Sequence, residues 1–168
     1  EMAVCLLARQ LGRPVKWTGD RTEAFLTDAH GRDHLTKAEM AFDKDNKVTG
    51  LRVKTYANLG AYMSLFSSSV PTYLYATLLS GQYNIPNIFA EGISVYSNTV
   101  PVDAYRGAGR PEASFVVERL METAARQLKV DPAELRRKNF ITQFPHQTPV
   151  IMAYDIGDFN ASLDSAMK

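Results

Sequence analysis

The segment Ala104–Tyr105–Arg106–Gly107–Ala108–Gly109–Arg110–Pro111–Glu112 brings three kinds of chemistry together. Gly107 and Gly109 can take φ > 0 and let another group approach the backbone closely. Arg106 and Arg110 are permanent cations whose forked donors match phosphate or carboxylate oxygens. Pro111 suits the first turn of a helix, and Glu112 in that turn is favoured by the helix dipole. The result is a glycine–arginine loop feeding a helix N-terminus, where amide N–H groups and the dipole favour an anion. The same residues also make a tight turn with a good helix start, and local pattern does not separate the two. The spacing is neither the Gly-x-Gly-x-x-Gly of a dinucleotide fingerprint nor the Gly-Lys-Ser/Thr ending of a P-loop.

Downstream, residues 111–127 predict a helix with Ala113, Val116, Val117, Leu120, Met121, Ala124 and Leu128 on one apolar stripe. Asp131 as N-cap, Pro132 at N1 and Glu134 at N3 start a second helix running to about Phe140. Residues 141–157, with Pro145 and Pro149, predict a loop, and Asp158 caps a last helix.

Upstream, Ala90 to Ser97 predicts a strand, so the loop lies between a strand and a helix, a common way to hold a ligand-facing loop on rigid supports. The apolar, tyrosine-rich run Tyr73–Leu79 predicts a helix ending near Gly81, its aromatics in the core. Residues 34–42 and 48–58 alternate in polarity around Asp43-Lys44-Asp45-Asn46-Lys47, which predicts an antiparallel hairpin with one wet face. Val15–Thr18 is a short strand candidate. Asp20 with Glu23 three residues on predicts a capping box for a helix at 21–27. Residues 2–11 predict a helix with Val4, Leu7 and Leu11 on one stripe, stopped by Gly12. The fold class expected is α+β: an antiparallel or mixed sheet with packed helices, strand-rich over about 15–100 and helical over about 111–168.

At 168 residues, 45% hydrophobic and 22% charged, the composition is that of an ordinary globular protein. A net charge of +1 without a basic run gives no sign of nucleic-acid binding. Cys5 alone excludes an internal disulfide, and its apolar surroundings predict a buried, inert thiol. No apolar stretch approaches membrane-spanning length, and a cytoplasmic setting fits. The chain starts and stops inside helical patterns, as expected of a piece of a longer polypeptide. His30 and His34 are four apart, but Gly31 and a turn lie between them and no zinc motif is completed. His146, between prolines, predicts a surface loop residue. Asp103 predicts a local turn or a partner for Arg106 or Arg110, either of which could instead pair with Glu112 or a distant acid.

The loop sequence resembles the active-site loop of the molybdenum hydroxylases, the xanthine dehydrogenase and aldehyde oxidase family. It most resembles the large subunit of the aerobic carbon monoxide dehydrogenase-like branch. Supporting matches are Gly12-Arg13-Pro14-Val15-Lys16-Trp17, Asp20-Arg21, Asn58-Leu59-Gly60-Ala61-Tyr62, Ile85-Pro86-Asn87-Ile88, Glu118-Arg119-Leu120-Met121-Glu122 and Leu135-Arg136-Arg137-Lys138-Asn139-Phe140.

The resemblance implies part of a molybdopterin-binding domain. The loop would lie against the molybdenum centre, with Arg106, Gly107, Ala108 and Gly109 on the cofactor side and Arg106 nearest the metal. Tyr105, Ala108 and Arg110 would face the substrate. The molybdenum would be held by a pterin dithiolene, of the cytosine dinucleotide form, and by inorganic ligands rather than side chains. The implied activity is hydroxylation of an electron-poor carbon with oxygen from water. Electrons would pass to a [2Fe–2S] small subunit and an FAD medium subunit.

Two departures shape the expectation. The family's Gly-Gly-Phe-Gly-Gly stretch belongs before residue 1 and its base glutamate after residue 168, so no catalytic base is expected in this chain. The carbon monoxide-oxidising enzymes resemble Ala-Tyr-Arg-Cys-Ser-Phe-Arg here, and Gly107 replaces the copper-holding cysteine, leaving no soft ligand for Cu(I). Ala108 also replaces the phenylalanine that xanthine oxidases resemble at this place, removing a stacking ring. The expected reaction is therefore on an aldehyde or N-heterocycle. Its competitors are a carbon monoxide dehydrogenase large subunit and a non-catalytic α+β module that binds a small anion.

Overall fold

Alternation of polarity fixes the central hairpin. In the computed structural model, which describes residues 2–168, β1 (His34–Phe42) pairs antiparallel with β2 (Val48–Asn58) from His34↔Ala57 to Phe42↔Val48, with a bulge after Ala41. The turn between them closes because Asp43 Oδ1 accepts from the amides of Asp45 and Lys47, at 2.9 and 2.8 Å. β3 (Ile88–Val95) lies on the other edge of β2, parallel to it, with Leu51 opposite Ile88 and Asn58 opposite Val95. The sheet is thus mixed, in the order β1-β2-β3. A parallel neighbour needs a long crossover, and residues 59–87 supply it.

That crossover departs from expectation. The helical segment starts at Val70, not Tyr73, and Val70–Leu74 is a π-turn in which the Leu74 amide donates to Ser69 O at 3.0 Å. Pro71 has no N–H to give, and the Thr72 hydroxyl bonds Ser68 O at 2.6 Å, so the start of the turn is wound by groups that α-helical periodicity ignores. Tyr75 reaches the core, whereas Tyr73 is exposed.

The inner face of the hairpin (Val48, Leu51, Val53) packs on the stripe of α3 (Arg110–Leu128), where Ala113, Val117, Met121 and Ala124 are buried. Val116 and Leu120 flank this contact, and Leu128 is at its exposed end. α4 (Pro132–Asn139) begins as expected: Asp131 Oδ1 accepts from the Ala133 and Glu134 amides. Leu135 and Phe140 close the core from that side.

The flanking elements are mixed in outcome. α1 (Met2–Leu11) and α2 (Arg21–Thr27) form, and α2 has both halves of the Asp20/Glu23 capping box. Val15–Thr18 is not a strand: among the described residues no other strand borders it to share its backbone bonds, and Trp17 is exposed. Cys5 is exposed rather than buried, because α1 buries none of its residues among those described. Within 141–157, β4 (His146–Gln147) pairs antiparallel with β5 (Ala153–Tyr154), a hairpin too short to leave a period in the sequence. α5 (Phe159–Ala166) is capped by Asp158, which accepts from the Ala161 amide. Among the described residues no helix is long and apolar enough to cross a membrane.

Candidate active site

The Gly–Arg loop hangs from a stitched base. Val102 donates to Leu59 O, His30 donates to Pro101 O, and Asp103 donates to His30 O at 2.7 Å. The Asp103 carboxylate accepts from its neighbour Ala104 N at 2.6 Å and from Phe66 N at 3.1 Å. It therefore turns the chain and pins the 59–87 crossover to the loop. It makes no ion pair with Arg106 or Arg110, since both of its bonds go to backbone amides.

Beyond this base the backbone turns twice. Ala108 N donates to Tyr105 O at 2.7 Å and Arg110 N donates to Gly107 O at 3.1 Å. Gly107, Ala108 and Gly109 all have positive φ, of 92°, 43° and 91°. Alanine in that region is uncommon. Gly109 is the N-cap of α3, and a Cβ on it would lie 2.7 Å from Val70 O and 2.9 Å from Tyr75 N. A Cβ on Gly107 would lie 2.5 Å from the Pro111 ring. Both glycines are required by the loop's own packing, on the π-turn and on Pro111.

The side chains of the loop are directed outward. Tyr105, Arg106, Gly107 and Arg110 are exposed, Ala108 is half-buried and Gly109 is buried. Among the described residues neither Arg106 nor Arg110 has an ion-pair partner. Glu112, an expected partner, instead pairs with Arg32. The amides of Arg106 and Gly107 donate to no other backbone carbonyl among the described residues. The loop thus offers two free guanidinium groups and uncommitted N–H groups beside a helix N-terminus. A cleft of about 400 Å³ runs along Tyr105, bounded by Arg21, Phe25, His30 and Arg32.

Arg32 has no signature in the sequence, yet it touches the loop at three places. Its Nη2 donates to Arg106 O at 3.0 Å, its Nη1 meets Glu112 Oε1 at 3.4 Å, and its guanidinium lies 5.3 Å from the Tyr105 ring centre. Only the structure brings residues this distant in the chain together.

On the far side of Glu112, a larger cleft of about 860 Å³ separates β1 from α3. His34 Nδ1 and Glu112 Oε2 are buried there without a partner among the described residues. Burial lowers the His34 pKa, against the opposing pull of the Glu112 and Asp33 carboxylates and with a smaller push from Arg32. A depressed histidine pKa leaves stability intact above the unfolded value of about 6.5 and removes it as pH falls through the folded value. We therefore expect His34→Gln to flatten the fall in melting temperature between about pH 7.5 and 5.5. An unchanged slope would show that His34 titrates alike in both states.

His30 and His34 do not converge: the His30 backbone is spent on the loop base and His34 opens β1. Among the described residues no group of three or more His, Cys, Asp or Glu side chains is placed to hold a metal ion. His146 is half-buried in β4.

The mixed sheet, the packed helices and the loop entering α3 define an α+β domain built to present one strand-to-helix junction. Residues 1–140 match the molybdopterin cofactor-binding domain. The chain is 39% identical over 162 residues to the carbon monoxide dehydrogenase large chain of Hydrogenophaga pseudoflava, covering 94% of this chain and 20% of that one. It is 35% identical to the 6-hydroxypseudooxynicotine dehydrogenase complex subunit gamma of Paenarthrobacter nicotinovorans, covering 80% of this chain and 17% of that protein. It superposes on quinoline 2-oxidoreductase from Pseudomonas putida 86 with a TM-score of 0.91 at 33% identity, covering 98% of this chain and 21% of that one. The chain belongs to the molybdopterin-binding domain of the molybdenum hydroxylase family. It spans about a fifth of the length of these relatives.

Proposed function

We propose that this chain forms part of a molybdenum-cofactor oxidoreductase that hydroxylates an aldehyde or an N-heterocycle with oxygen from water. The observation that carries this is the crest of the loop. Two guanidinium groups without ion-pair partners among the described residues flank Gly107, Ala108 and Gly109, where no side chain is larger than a methyl group. That arrangement fits an anionic cofactor and a substrate carbon lying close to the backbone. Arg106 and the amides of Arg106 and Gly107 would hold oxygen atoms of the cofactor's ligand sphere by charge-assisted hydrogen bonds. Gly109 sets the loop's height above the π-turn. Tyr105, Ala108 and Arg110 would bound the substrate, Tyr105 by its exposed ring and Arg110 by its donors. Once bound, the cofactor supplies the two-electron acceptor, and the protein supplies orientation, electrostatics and exclusion of water.

The same reading extends to the rest of the assembly. The cofactor is the cytosine dinucleotide form of molybdopterin. The electrons pass through a [2Fe–2S] small subunit to an FAD medium subunit in a cytoplasmic complex, and the base glutamate lies elsewhere in the large subunit.

Carbon monoxide oxidation through copper is the second possibility, given the 39% identity to a carbon monoxide dehydrogenase. Geometry disfavours it here. Position 107 is glycine with φ of 92° and offers no thiolate, and a Cβ there would lie 2.5 Å from the Pro111 ring, so a cysteine would require the loop to shift. Quinoline 2-oxidoreductase, named for an N-heterocycle, has this domain's fold at a TM-score of 0.91. The test is to purify the complete complex, measure molybdenum and copper, and assay aldehydes, N-heterocycles and carbon monoxide with ¹⁸O-labelled water. Molybdenum without copper, and label in an aldehyde or heterocycle product, are expected. Carbon monoxide oxidation by a copper-bearing preparation overturns the assignment. Gly107→Cys is expected to lower the yield of folded complex and to bring neither copper nor carbon monoxide turnover, read by metal analysis and the same assay.

A further inference from the structure

We infer that Arg32 is a positioning residue for the Gly–Arg loop, a guanidinium from outside the loop that sets where Arg106 points. The inference rests on the proposal that this loop faces the molybdenum cofactor.

The geometry assigns the role in three steps. First, Arg32 reaches both sides of the loop at once. Nη2 donates to the Arg106 carbonyl at 3.0 Å, so it holds the peptide that follows the Arg106 side chain. Nη1 meets Glu112 Oε1 at 3.4 Å, in the first turn of α3. The flat guanidinium also lies 5.3 Å from the Tyr105 ring centre, within cation–π range. A planar fork can serve two acceptors and a ring together, whereas an ammonium is a point charge.

Second, the backbone that carries Arg32 is fixed and strained. Arg32 and Asp33 both have left-handed φ, of 75° and 67°, and neither is glycine. Such residues persist only where their surroundings over-determine them. Here His30 is bonded on both sides, to Pro101 O and from Asp103 N, and Asp33 O accepts from Asn58 N at 3.1 Å. The two His30 bonds also belong to the loop's base, so Arg32 and the loop share one frame.

Third, the acceptor at the end of the clamp is unusual. The Glu112 side chain is 8% exposed, while Arg32 is 39% exposed. With its carboxylate buried, this is not a surface pair: removing Arg32 also strips a buried charge of its cation, so the melting temperature is read beside the rate. What the contacts provide together is direction: they fix the Arg106 peptide relative to the helix start. A reacting group displaced by about 1 Å loses rate steeply even where the fold holds.

The experiment uses the complete molybdenum-loaded complex with Arg32→Ala, Arg32→Lys and, as reference, Arg106→Ala. Three readouts are compared: kcat against KM, the Mo(V) EPR signal, and the melting temperature with molybdenum content. Arg32→Ala is expected to lower kcat about 10-fold with molybdenum retained and to shift or broaden the Mo(V) signal. Arg32→Lys, with one point donor, is expected to lose less kcat and still alter the signal. If Arg32→Ala matches wild type in kinetics and EPR while Arg106→Ala changes both, the clamp is refuted and the loop assignment stands. If Arg106→Ala itself changes neither, the loop assignment falls and takes the clamp with it. If Arg32→Ala fails to assemble, Arg32→Lys decides: an unaltered kcat and signal there mean that Arg32 only supports the fold, and the inference is overturned.

Discussion

Gly109→Ala is expected to destabilise the domain by about 2–6 kcal/mol, the sum of a strained φ and an overpacked contact. The φ of 91° lies outside what a side chain tolerates well, and this accounts for about 1–3 kcal/mol. The new Cβ would also lie within 3.0 Å of Val70 O, Leu74 C and Tyr75 N. Those are backbone atoms of a wound segment, so they cannot rotate away as a side-chain tip can. Gly12→Ala is the control. Gly12 has φ of 61° with no atom of the described residues within 4 Å of a would-be Cβ, so only the backbone cost remains, about 1–2 kcal/mol. Denaturant midpoints and the yield of soluble complex measure both. If the two substitutions cost the same, the contact between the loop and the π-turn is soft, and the loop's position must be set elsewhere. If Gly109→Ala costs more and molybdenum content falls with it, the packing that positions the loop is identified.

The pattern of what the sequence disclosed follows from the range of each interaction. Caps are local: Asp20, Asp131 and Asp158 each bond amides two or three residues on, so the helix starts are legible from composition. The hairpin is legible because alternation in both strands serves one buried face. The loop's glycines can take positive φ, and they do, but what requires it is packing: Pro111 and Val70 come against them only on folding. Charge pairing was the least legible. Arg106 and Arg110 had acids within a few residues, yet Asp103 is spent on amides and Glu112 on Arg32. Sequence proximity favours a pair only when nothing farther away offers better geometry. Val15–Thr18 shows the converse limit, since strand composition makes no strand without a neighbouring edge.

Asn139→Ala is expected to cost about 2–4 kcal/mol, because one buried amide joins three segments. Asn139 Oδ1 accepts from Val48 N at 2.8 Å, and its Nδ2 donates to Asn46 O at 3.0 Å and to Leu135 O at 2.9 Å. The last residue of α4 thereby satisfies the end of the hairpin turn and the first amide of β2. Asn139 is 3% exposed and Val48 is 4% exposed, so water does not replace the lost partner without opening the core. The aspartate variant separates the donor role from the acceptor role. Asn139→Asp keeps an oxygen for Val48 N–H but faces two carbonyls with a carboxyl group. Burial and those carbonyls favour its protonated form, which can still donate, and so raise its folded pKa above the unfolded value of about 3.9. Stability is then fullest below that value and is lost as pH rises through the folded pKa, opposite in sign to His34. Denaturant midpoints taken at about pH 5 and pH 7.5 should therefore show Asn139→Asp falling further below wild type at the higher pH, while the Asn139→Ala deficit stays constant. Equal deficits for both variants at both pH values would mean that water reaches the site and that α4 is tied to the hairpin by Leu135 and Phe140 alone.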